Sequence, residues 1–269
     1  MFTILLSLAI LVSVPFIYKA NRNTKDVKVN TISIDQKDGS ARKKLNILHL
    51  SDLHLENISV SAEELYHLIK DQPVDIIALT GDFLDRKRNI PKLAGYLKAL
   101  QKLNPAYGMY AVFGNHDYVL KEKDFQRLKH VLEENGCITL QNEHVQIETA
   151  AGLVNIIGID DYSTNRSNIT GSYQNLENGY HLVLTHDPNI ILDMKDVHYD
   201  YLLSGHFHGG QIHWPKPYHL AKMGKLVRMN MVKGLHYHHD KPFYISEGLG
   251  QTGVNIRVGS RPEVTFHQI

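Results

Sequence analysis

The hydrophobic pattern of the chain changes at Leu45. Before this residue, an unbroken apolar run over residues 2–18 is followed by a polar, charged stretch. After it, short apolar runs first alternate with amphipathic segments and then follow one another closely. Strand–helix alternation followed by a strand-rich half is typical of an α/β protein with two sheets packed together and helices outside. No Pro/Gly linker divides the later part, so we predict one domain over residues 45–269.

The periodicity of the later part predicts individual elements. Ser61 and Glu64 have the spacing of a capping box, which predicts a helix that ends near Lys70. Helical periodicity predicts two further helices over residues 90–103 and 121–134, and a short helix is expected between residues 184 and 201. Apolar runs predict strands over residues 45–50, 74–79, 109–113, 138–140, 144–148, 154–159, 181–184, 201–203, 243–246, 254–258 and 264–267.

The first 44 residues predict a membrane attachment. Residues 2–18 are uncharged and lie at the short end of the roughly 17–25 residues that span a bilayer. A cleaved signal peptide normally has Lys or Arg before its apolar core, and a core helix would be poorly placed before so polar a stretch. We therefore expect a transmembrane anchor over residues 1–18, a basic tether over residues 19–44 and a cell-membrane location.

Charge and composition refine this picture. Residues 19–44 contain eight Lys or Arg against three Asp, which by the positive-inside rule places the domain on the cytoplasmic side. The single cysteine, Cys137, excludes an internal disulfide. The 17 histidines are an excess, and because histidine is the commonest metal ligand they justify a search for ligand spacing.

Five polar clusters follow predicted strands. Each has an ordinary explanation by itself, since Asp is favoured at helix N-caps and Asn beside Gly is typical of turns. Active sites of open α/β sheets collect at the carboxyl ends of strands, so five such clusters together indicate one site. The clusters are Asp52-x-His54, Gly81-Asp82-x-x-Asp85, Gly114-Asn115-His116-Asp117, His186-Asp187 and Gly205-His206-Phe207-His208.

In this order, the clusters resemble the motifs of calcineurin-like metallophosphoesterases, from Leu45 to the C-terminus. The resemblance implies a two-sheet β-sandwich flanked by helices, in αββα layers, which agrees with the pattern of predicted elements. It also implies two metal ions that share Asp82, with His116 as a catalytic group oriented by Asp85. One metal would be held by Asp52, His54, Asp82 and His208, and the second by Asp82, Asn115, His186 and His206.

The ligand types and the resemblance together predict the chemistry. Nitrogen and oxygen ligands suit Mn, Fe or Zn ions better than Ca²⁺, and we favour Mn²⁺. The implied reaction is phosphoester hydrolysis by direct attack of a hydroxide held between the two metals, which lower the pKa of bound water. His116, when protonated, would stabilise the charge on the phosphoryl group or donate a proton to the leaving oxygen.

Residues 213–241 bear on the substrate. They contain six Lys or Arg against Asp240 alone, interleaved with side chains such as Trp214 and Tyr218. Two interpretations stay open: a surface that attracts an anionic substrate and contacts acyl chains or a membrane surface, or a solvated loop with a few core residues. Residues 184–188, 205–211 and 248–253 resemble a membrane-associated bacterial subgroup, in which some members hydrolyse the pyrophosphate of a lipid-linked nucleotide sugar.

The sequence therefore favours a phosphodiesterase or pyrophosphatase acting on a membrane-associated, possibly lipid-linked, or nucleotide-type phosphate ester. A phosphomonoesterase is the first alternative. A non-catalytic metal-binding module is the second, although it would be expected to lack a ligand or His116. No nucleic-acid partner is expected, because the chain has no extended basic groove signal.

Overall fold

Twelve strands make up two six-stranded sheets in a computed structural model that describes residues 2–34 and 44–269. Part of the predicted tether, residues 35–43, lies outside the described residues. The strands are β1 (Lys28–Ser33), β2 (Asn46–Leu50), β3 (Ile76–Thr80), β4 (Met109–Val112), β5 (Cys137–Thr139), β6 (Glu143–Thr149), β7 (Gly152–Gly158), β8 (Tyr180–Leu184), β9 (Tyr201–Ser204), β10 (Gly234–His238), β11 (Lys241–Ile245) and β12 (Glu263–Gln268).

Both sheets are mixed. The first has the order β1-β12-β2-β3-β4-β5, and β2 to β5 run parallel. The second has the order β10-β11-β9-β8-β7-β6, and β7, β8, β9 and β11 run parallel. Parallel neighbours end at the same edge of a sheet, so each sheet presents several strand ends side by side.

The helices cover the outer faces of the sheets. The α-helices are α1 (Phe2–Arg22), α2 (Ala62–Ile69), α3 (Ile90–Gln101), α4 (Glu122–Glu134), α5 (Ile169–Ser172) and α6 (Lys225–Arg228). On the first sheet, α2, α3 and α4 pack through buried leucines such as Leu65, Leu97 and Leu128. On the second sheet, shorter helical segments such as Pro188–Leu192 and α6 supply the cover. The predicted two-sheet sandwich flanked by helices is confirmed.

Strand β2 illustrates how the sequence produces these layers. Successive side chains of a strand point to opposite faces, so Leu48 and Leu50 join the helix-facing core while Ile47 joins the core between the sheets. His49 also points between the sheets, where its ring meets those of Tyr244 and His267. Strands buried on both faces read as continuous apolar runs, so the sequence locates them without showing which side chain faces which layer.

The membrane anchor predicted over residues 1–18 is wrong. Among the residues that the structure describes, no helix is long and apolar enough to cross a membrane. The predicted cell-membrane location, which depended on this anchor, is wrong as well. The last turn of α1 instead packs against the domain. There Ala20 is buried and its carbonyl accepts a hydrogen bond from the Arg257 amide at 2.9 Å.

Three strands differ from the prediction. The stretch expected to be a tether supplies β1, which pairs in parallel with β12 over six residues. Strand β10 pairs antiparallel with β11 at the other sheet edge and was not predicted. Residues 254–258 are not a strand: apart from one bridge between Val258 and Ile212, they cross the domain surface as a loop.

Candidate metal centre

The predicted site residues lie together at one edge of the sandwich, just after five strand ends. Asp52, Asp82 and Asn115 follow β2, β3 and β4 of the first sheet. His186 and His206 follow β8 and β9 of the second. Both sheets therefore contribute to the site.

A first group of side chains surrounds His208. Its Nε2 atom lies 3.3 Å from Oδ1 of Asp52 and 3.2 Å from Nε2 of His54. The other ring nitrogen of His54, Nδ1, lies 3.1 Å from Oδ1 of Asp85. A proton on Nδ1 leaves the Nε2 lone pair of His54 directed towards Asp52 and His208, as a metal ligand requires.

A second group surrounds His186. Its Nε2 lies 3.0 Å from Oδ2 of Asp82 and 3.2 Å from Nδ1 of His206. Its Nδ1 donates to the Thr80 carbonyl at 2.7 Å, which fixes the tautomer that leaves Nε2 free to bind a cation. The same Asp82 oxygen is 3.5 Å from Nε2 of His54, so Asp82 lies between the two groups.

The remaining predicted residues lie beside these groups. Oδ1 of Asn115 is buried without a hydrogen-bond partner among the described residues. The His116 amide donates to Oδ1 of Asp82 at 2.9 Å, and Nδ1 of the His116 ring lies 3.2 Å from Oδ1 of Asp85. Asp85 thus contacts both His116 and His54, and the His116 side chain remains 31% exposed towards solvent.

The backbone at the site is unusual. Five of the seven predicted ligands have positive φ angles, namely Asp52, His54, Asp82, His206 and His208. Each such residue costs on the order of 1–3 kcal/mol, and strain of this kind persists only where the surroundings fix it. The sharp turns allow side chains from neighbouring strand ends to converge on one point.

The donor set fits a divalent cation. Paired ring nitrogens at 3.2 Å and buried carboxylates repel one another unless a proton or a cation lies between them. Burial lowers the pKa of His54, but its hydrogen bonds to Asp82 and Asp85 outweigh burial and raise it to about 10. Burial lowers the pKa of His208, which keeps that ring neutral and able to act as a ligand. A metal would replace the protons that otherwise balance the buried carboxylates.

Comparison with known families agrees with this geometry. The family model described as "Calcineurin-like phosphoesterase" matches residues 45–210, more than half of the chain. The chain belongs to the calcineurin-like phosphoesterase family. It is therefore a hydrolase of phosphoesters, and the family predicted from its motifs is confirmed.

Individual relatives give the same result. The chain is 94% identical to the metallophosphoesterase YkoQ of Bacillus subtilis (strain 168), and the alignment covers 100% of both proteins. It is 28% identical to the phosphodiesterase YaeI of Escherichia coli (strain K12), covering 87% of this chain and 84% of that protein. The structure of TT1561 of Thermus thermophilus is similar in fold, with a TM-score of 0.50 at 13% identity over 77% of this chain and 91% of that one.

In this phosphoesterase, Asp117 holds two of the loops that carry the site. Its carboxylate accepts hydrogen bonds from the Asp82 and Gly114 amides at 2.9 Å and from the Phe83 amide at 2.8 Å. Burial, followed by the charge of Asp82, raises the pKa of Asp117 to about 7. The sequence motif contained Asp117 but did not predict this role, because the three donors come from two separate loops.

Two glycines of the motifs allow these close approaches. A Cβ atom on Gly114 would lie 2.2 Å from Oδ1 of Asp82 and 2.7 Å from the His186 ring. A Cβ atom on Gly205 would lie 1.9 Å from Oγ of Ser51 and 2.2 Å from Oδ2 of Asp52. Only glycine fits at either position.

The basic stretch over residues 213–241 begins beside the site. Nδ1 of His213 lies 3.0 Å from the Gly209 carbonyl, and Trp214 next to it is 72% exposed. Two lysines of the stretch make contacts within the protein: Lys233 pairs with Glu247 at 3.1 Å, and Lys241 donates to backbone carbonyls that include that of Val197. Core residues of the stretch pack on the second sheet, so it combines core packing with an exposed aromatic and basic surface.

Proposed function

We propose that this phosphoesterase is a phosphodiesterase or pyrophosphatase that uses two divalent metal ions, with Mn²⁺ favoured over Fe and Zn. The position of Asp82 between two groups of buried histidine and aspartate side chains carries the proposal. Two cations side by side need a shared anionic ligand. The proposed ligands of the first metal are Asp52, His54, Asp82 and His208, and those of the second are Asp82, Asn115, His186 and His206.

The metals would supply a nucleophile at neutral pH and stabilise charge on the phosphoryl oxygens. The chain itself would position the proton donor. Burial lowers the pKa of His116, but the contact with Asp85 and the charge of Asp82 outweigh it and raise this pKa above that of an ordinary histidine, which favours the protonated ring. With Nδ1 oriented by Asp85, its Nε2 can donate that proton to the leaving oxygen of a phosphoester.

Two observations favour a diester or pyrophosphate over a monoester. The relative YaeI is named a phosphodiesterase. The exposed Trp214 and Tyr218, a few residues beyond the His208 turn, offer apolar surface for a second substituent on the phosphate, such as a nucleoside or an acyl-bearing group. A phosphomonoesterase is the alternative and would not need that surface.

The test begins with protein stripped of metal by a chelator and resupplied with Mn²⁺. Hydrolysis of a bis-aryl phosphate and of a mono-aryl phosphate is then measured for the parent protein, Asp82→Asn and His116→Ala. His130→Ala is the matched control, because His130 is an exposed histidine of α4 that pairs with Glu134 at 3.0 Å and belongs to neither ligand group. We expect Mn²⁺-dependent diester cleavage in the parent and the control and a loss of at least about 100-fold in both site variants.

Faster cleavage of the monoester would instead support the phosphomonoesterase. No turnover of aryl esters, of a dinucleotide or of a nucleotide pyrophosphate by protein that binds two Mn²⁺ ions would argue for the non-catalytic binding module.

A further inference from the structure

Arg257 is buried under the metal centre. Its side chain is fully enclosed, yet it belongs to a surface loop, residues 251–262, that contains no regular strand. Among the described residues, its guanidinium makes five hydrogen bonds, all to backbone carbonyls. The Nη1 atom donates to Glu247 (2.7 Å), His208 (3.1 Å) and Arg261 (3.3 Å), and Nη2 donates to Gly250 (2.6 Å) and Gly248 (3.0 Å).

Apart from that of Arg261, these carbonyls belong to segments that carry or adjoin the first group of candidate ligands. His208 is one of those ligands. The loop over residues 247–250 pairs with the Asp52 loop, since the Leu249 amide donates to the Ser51 carbonyl at 2.9 Å and the Gly250 amide donates to the Asp52 carbonyl at 2.7 Å. The guanidinium of Arg257 therefore connects the backbone around Asp52 with the backbone of His208.

The turn that carries His208 needs such support. His206, His208 and Gln211 all have positive φ angles, which side chains other than glycine rarely adopt. The loop that contains Arg257 also braces this turn at its far end, where the Gln211 side chain donates to the Thr252 carbonyl at 2.9 Å and the Ser260 hydroxyl donates to the Gln211 carbonyl at 3.0 Å.

The second group of candidate ligands is held mainly by other residues. His186 is oriented by the Thr80 carbonyl, and the loops of Asp82 and Asn115 are joined by Asp117. Within the described residues, none of the Arg257 hydrogen bonds reaches those loops. The two groups are still connected, because His206 shares the turn of His208 and the Asp52 amide donates to the Gly81 carbonyl at 3.0 Å. Arg257 thus supports the first group directly and the second only through these connections.

We propose that Arg257 is a positioning residue for one of the two metals, the one at Asp52, His54 and His208. This inference rests on the proposed two-metal function. A planar guanidinium with fixed donors can hold several carbonyls at once, whereas a lysine ammonium acts as a single point. Loss of the guanidinium would let the His208 turn relax. Binding of the metal at Asp52, His54 and His208 would then weaken, while the other metal stays bound.

The N-terminal segment holds Arg257 from outside. The Arg257 amide donates to the Ala20 carbonyl at 2.9 Å, and the Asn23 side chain donates to the Arg257 carbonyl at 2.8 Å. Residues 20–24 are therefore the outer support of a connection that leads through Arg257 to the metal centre. Removing the Asn23 hydrogen bond should weaken binding of the same metal, but by less than a change of Arg257 itself does.

The experiment titrates Mn²⁺ into metal-free full-length protein by calorimetry, with thermal unfolding as a second readout. Arg257→Lys is compared with Arg261→Lys, the same change four residues away on a half-exposed arginine that pairs with Asp26. We expect the parent and Arg261→Lys to bind two ions equally well. Arg257→Lys should bind one ion at least about tenfold more weakly than the parent does, with a clearly smaller loss of affinity for the other ion, since changes to outer partners of metal ligands have effects of this size.

Two results for a folded Arg257→Lys protein would overturn the proposal: two ions bound as in the parent, or equal weakening of both ions, which a general loss of stability would produce. If Arg257→Lys does not fold, the same Mn²⁺ titration of Asn23→Ala tests the proposal instead. Selective weakening of one ion supports the positioning role, and unchanged binding of both contradicts it. A parent protein that does not bind two ions would instead contradict the proposed function.

Discussion

Single residues at this site are restricted by close packing. Asp82 contacts His54, His186, the His116 amide and, through its own amide, Asp117. In so crowded a place even one methyl group has no room. The structural requirement for glycine at position 114 follows from this, and it can be separated from the intrinsic effect of a glycine-to-alanine change.

Gly114→Ala should abolish binding of at least one metal, because its Cβ atom would lie 2.2 Å from the Asp82 carboxylate. Gly95→Ala is the matched control: Gly95 lies inside α3 with nothing within 4 Å of the new methyl group. The control should bind metal normally and gain about 0.5–1 kcal/mol of stability, since alanine favours helix over glycine. Metal stoichiometry and chemical unfolding would check both. Normal metal binding by Gly114→Ala would contradict the packing argument.

A second residue-scale prediction concerns the buried histidines between the sheets. Burial lowers the pKa of His49 to about 3 and lowers that of His267 as well, with a further contribution from His49. Their pKa in the unfolded chain is near 6.5, so the unfolded state binds more protons below that pH. The stability that these neutral histidines contribute is therefore fully present above pH 6.5. It should fall as the pH drops below 6.5, by about 1.4 kcal/mol per pH unit for each histidine that stays neutral in the folded state.

His267→Gln tests this slope. Glutamine does not titrate but can accept the hydrogen bond from the Tyr201 hydroxyl, which now joins Nδ1 of His267 at 2.8 Å. Urea unfolding of chelator-treated protein between pH 4.5 and 7.5 should give a shallower acid limb in the variant than in the parent. Equal slopes would mean that His267 is protonated in the folded protein.

At the scale of elements, β1 is the main feature of the structure that the sequence did not predict. It covers the edge of β12, and Asn30 of β1 donates to the buried Glu263 at 2.9 Å. An uncovered strand edge exposes unpaired backbone groups and promotes association. The N-terminal part of the chain is thus integrated in the first sheet.

A chain that begins at residue 45 should therefore be less stable and more prone to aggregate than one that begins at residue 18. The shorter chain loses all six residue pairs between β1 and β12, whereas the longer one keeps them together with the contacts of Ala20 and Asn23. Thermal unfolding and light scattering would compare the two. Equal melting temperatures and scattering would show that β1 adds nothing to the first sheet.

At the scale of the whole molecule, the candidate metal centre draws its side chains from both sheets. The first sheet supplies Asp52, Asp82 and Asn115, and the second supplies His186 and His206, so bound cations would tie the two layers together at one edge. Ligand binding stabilises the folded state according to its concentration and affinity. Metal removal should therefore affect the unfolding of the whole domain and not only that of the site.

Addition of Mn²⁺ to the metal-free protein should raise its stability by about 2.7 kcal/mol for each ion bound at a free concentration 100 times its dissociation constant. The melting temperature should rise continuously with the concentration of Mn²⁺, and Asp82→Asn, which lacks the shared carboxylate, should respond much less. A melting temperature independent of metal in the parent protein would contradict a cation that links the sheets.

Prediction from sequence worked best where local pattern decides the outcome. The capping box of Ser61 and Glu64 forms as predicted, and both of its hydrogen bonds are present. Helices α3 and α4 begin within a residue of their predicted starts, because amphipathic periodicity is a strong local signal. The edge strands β1 and β10 were not predicted, because their sequences are mixed and partly exposed and their pairing depends on other parts of the chain.

The sequence by itself determined the family, the α/β layers and which side chains gather at the strand ends, because motif order and strand polarity are local properties of the chain. Only the tertiary structure decided what supports those side chains. Asp117 joins two loops, Thr80 fixes the His186 tautomer, and Arg257 reaches the His208 carbonyl from 49 residues away. Such contacts join a side chain to a backbone carbonyl or amide that every residue type possesses. For that reason the amino-acid sequence carries no direct sign of the partner.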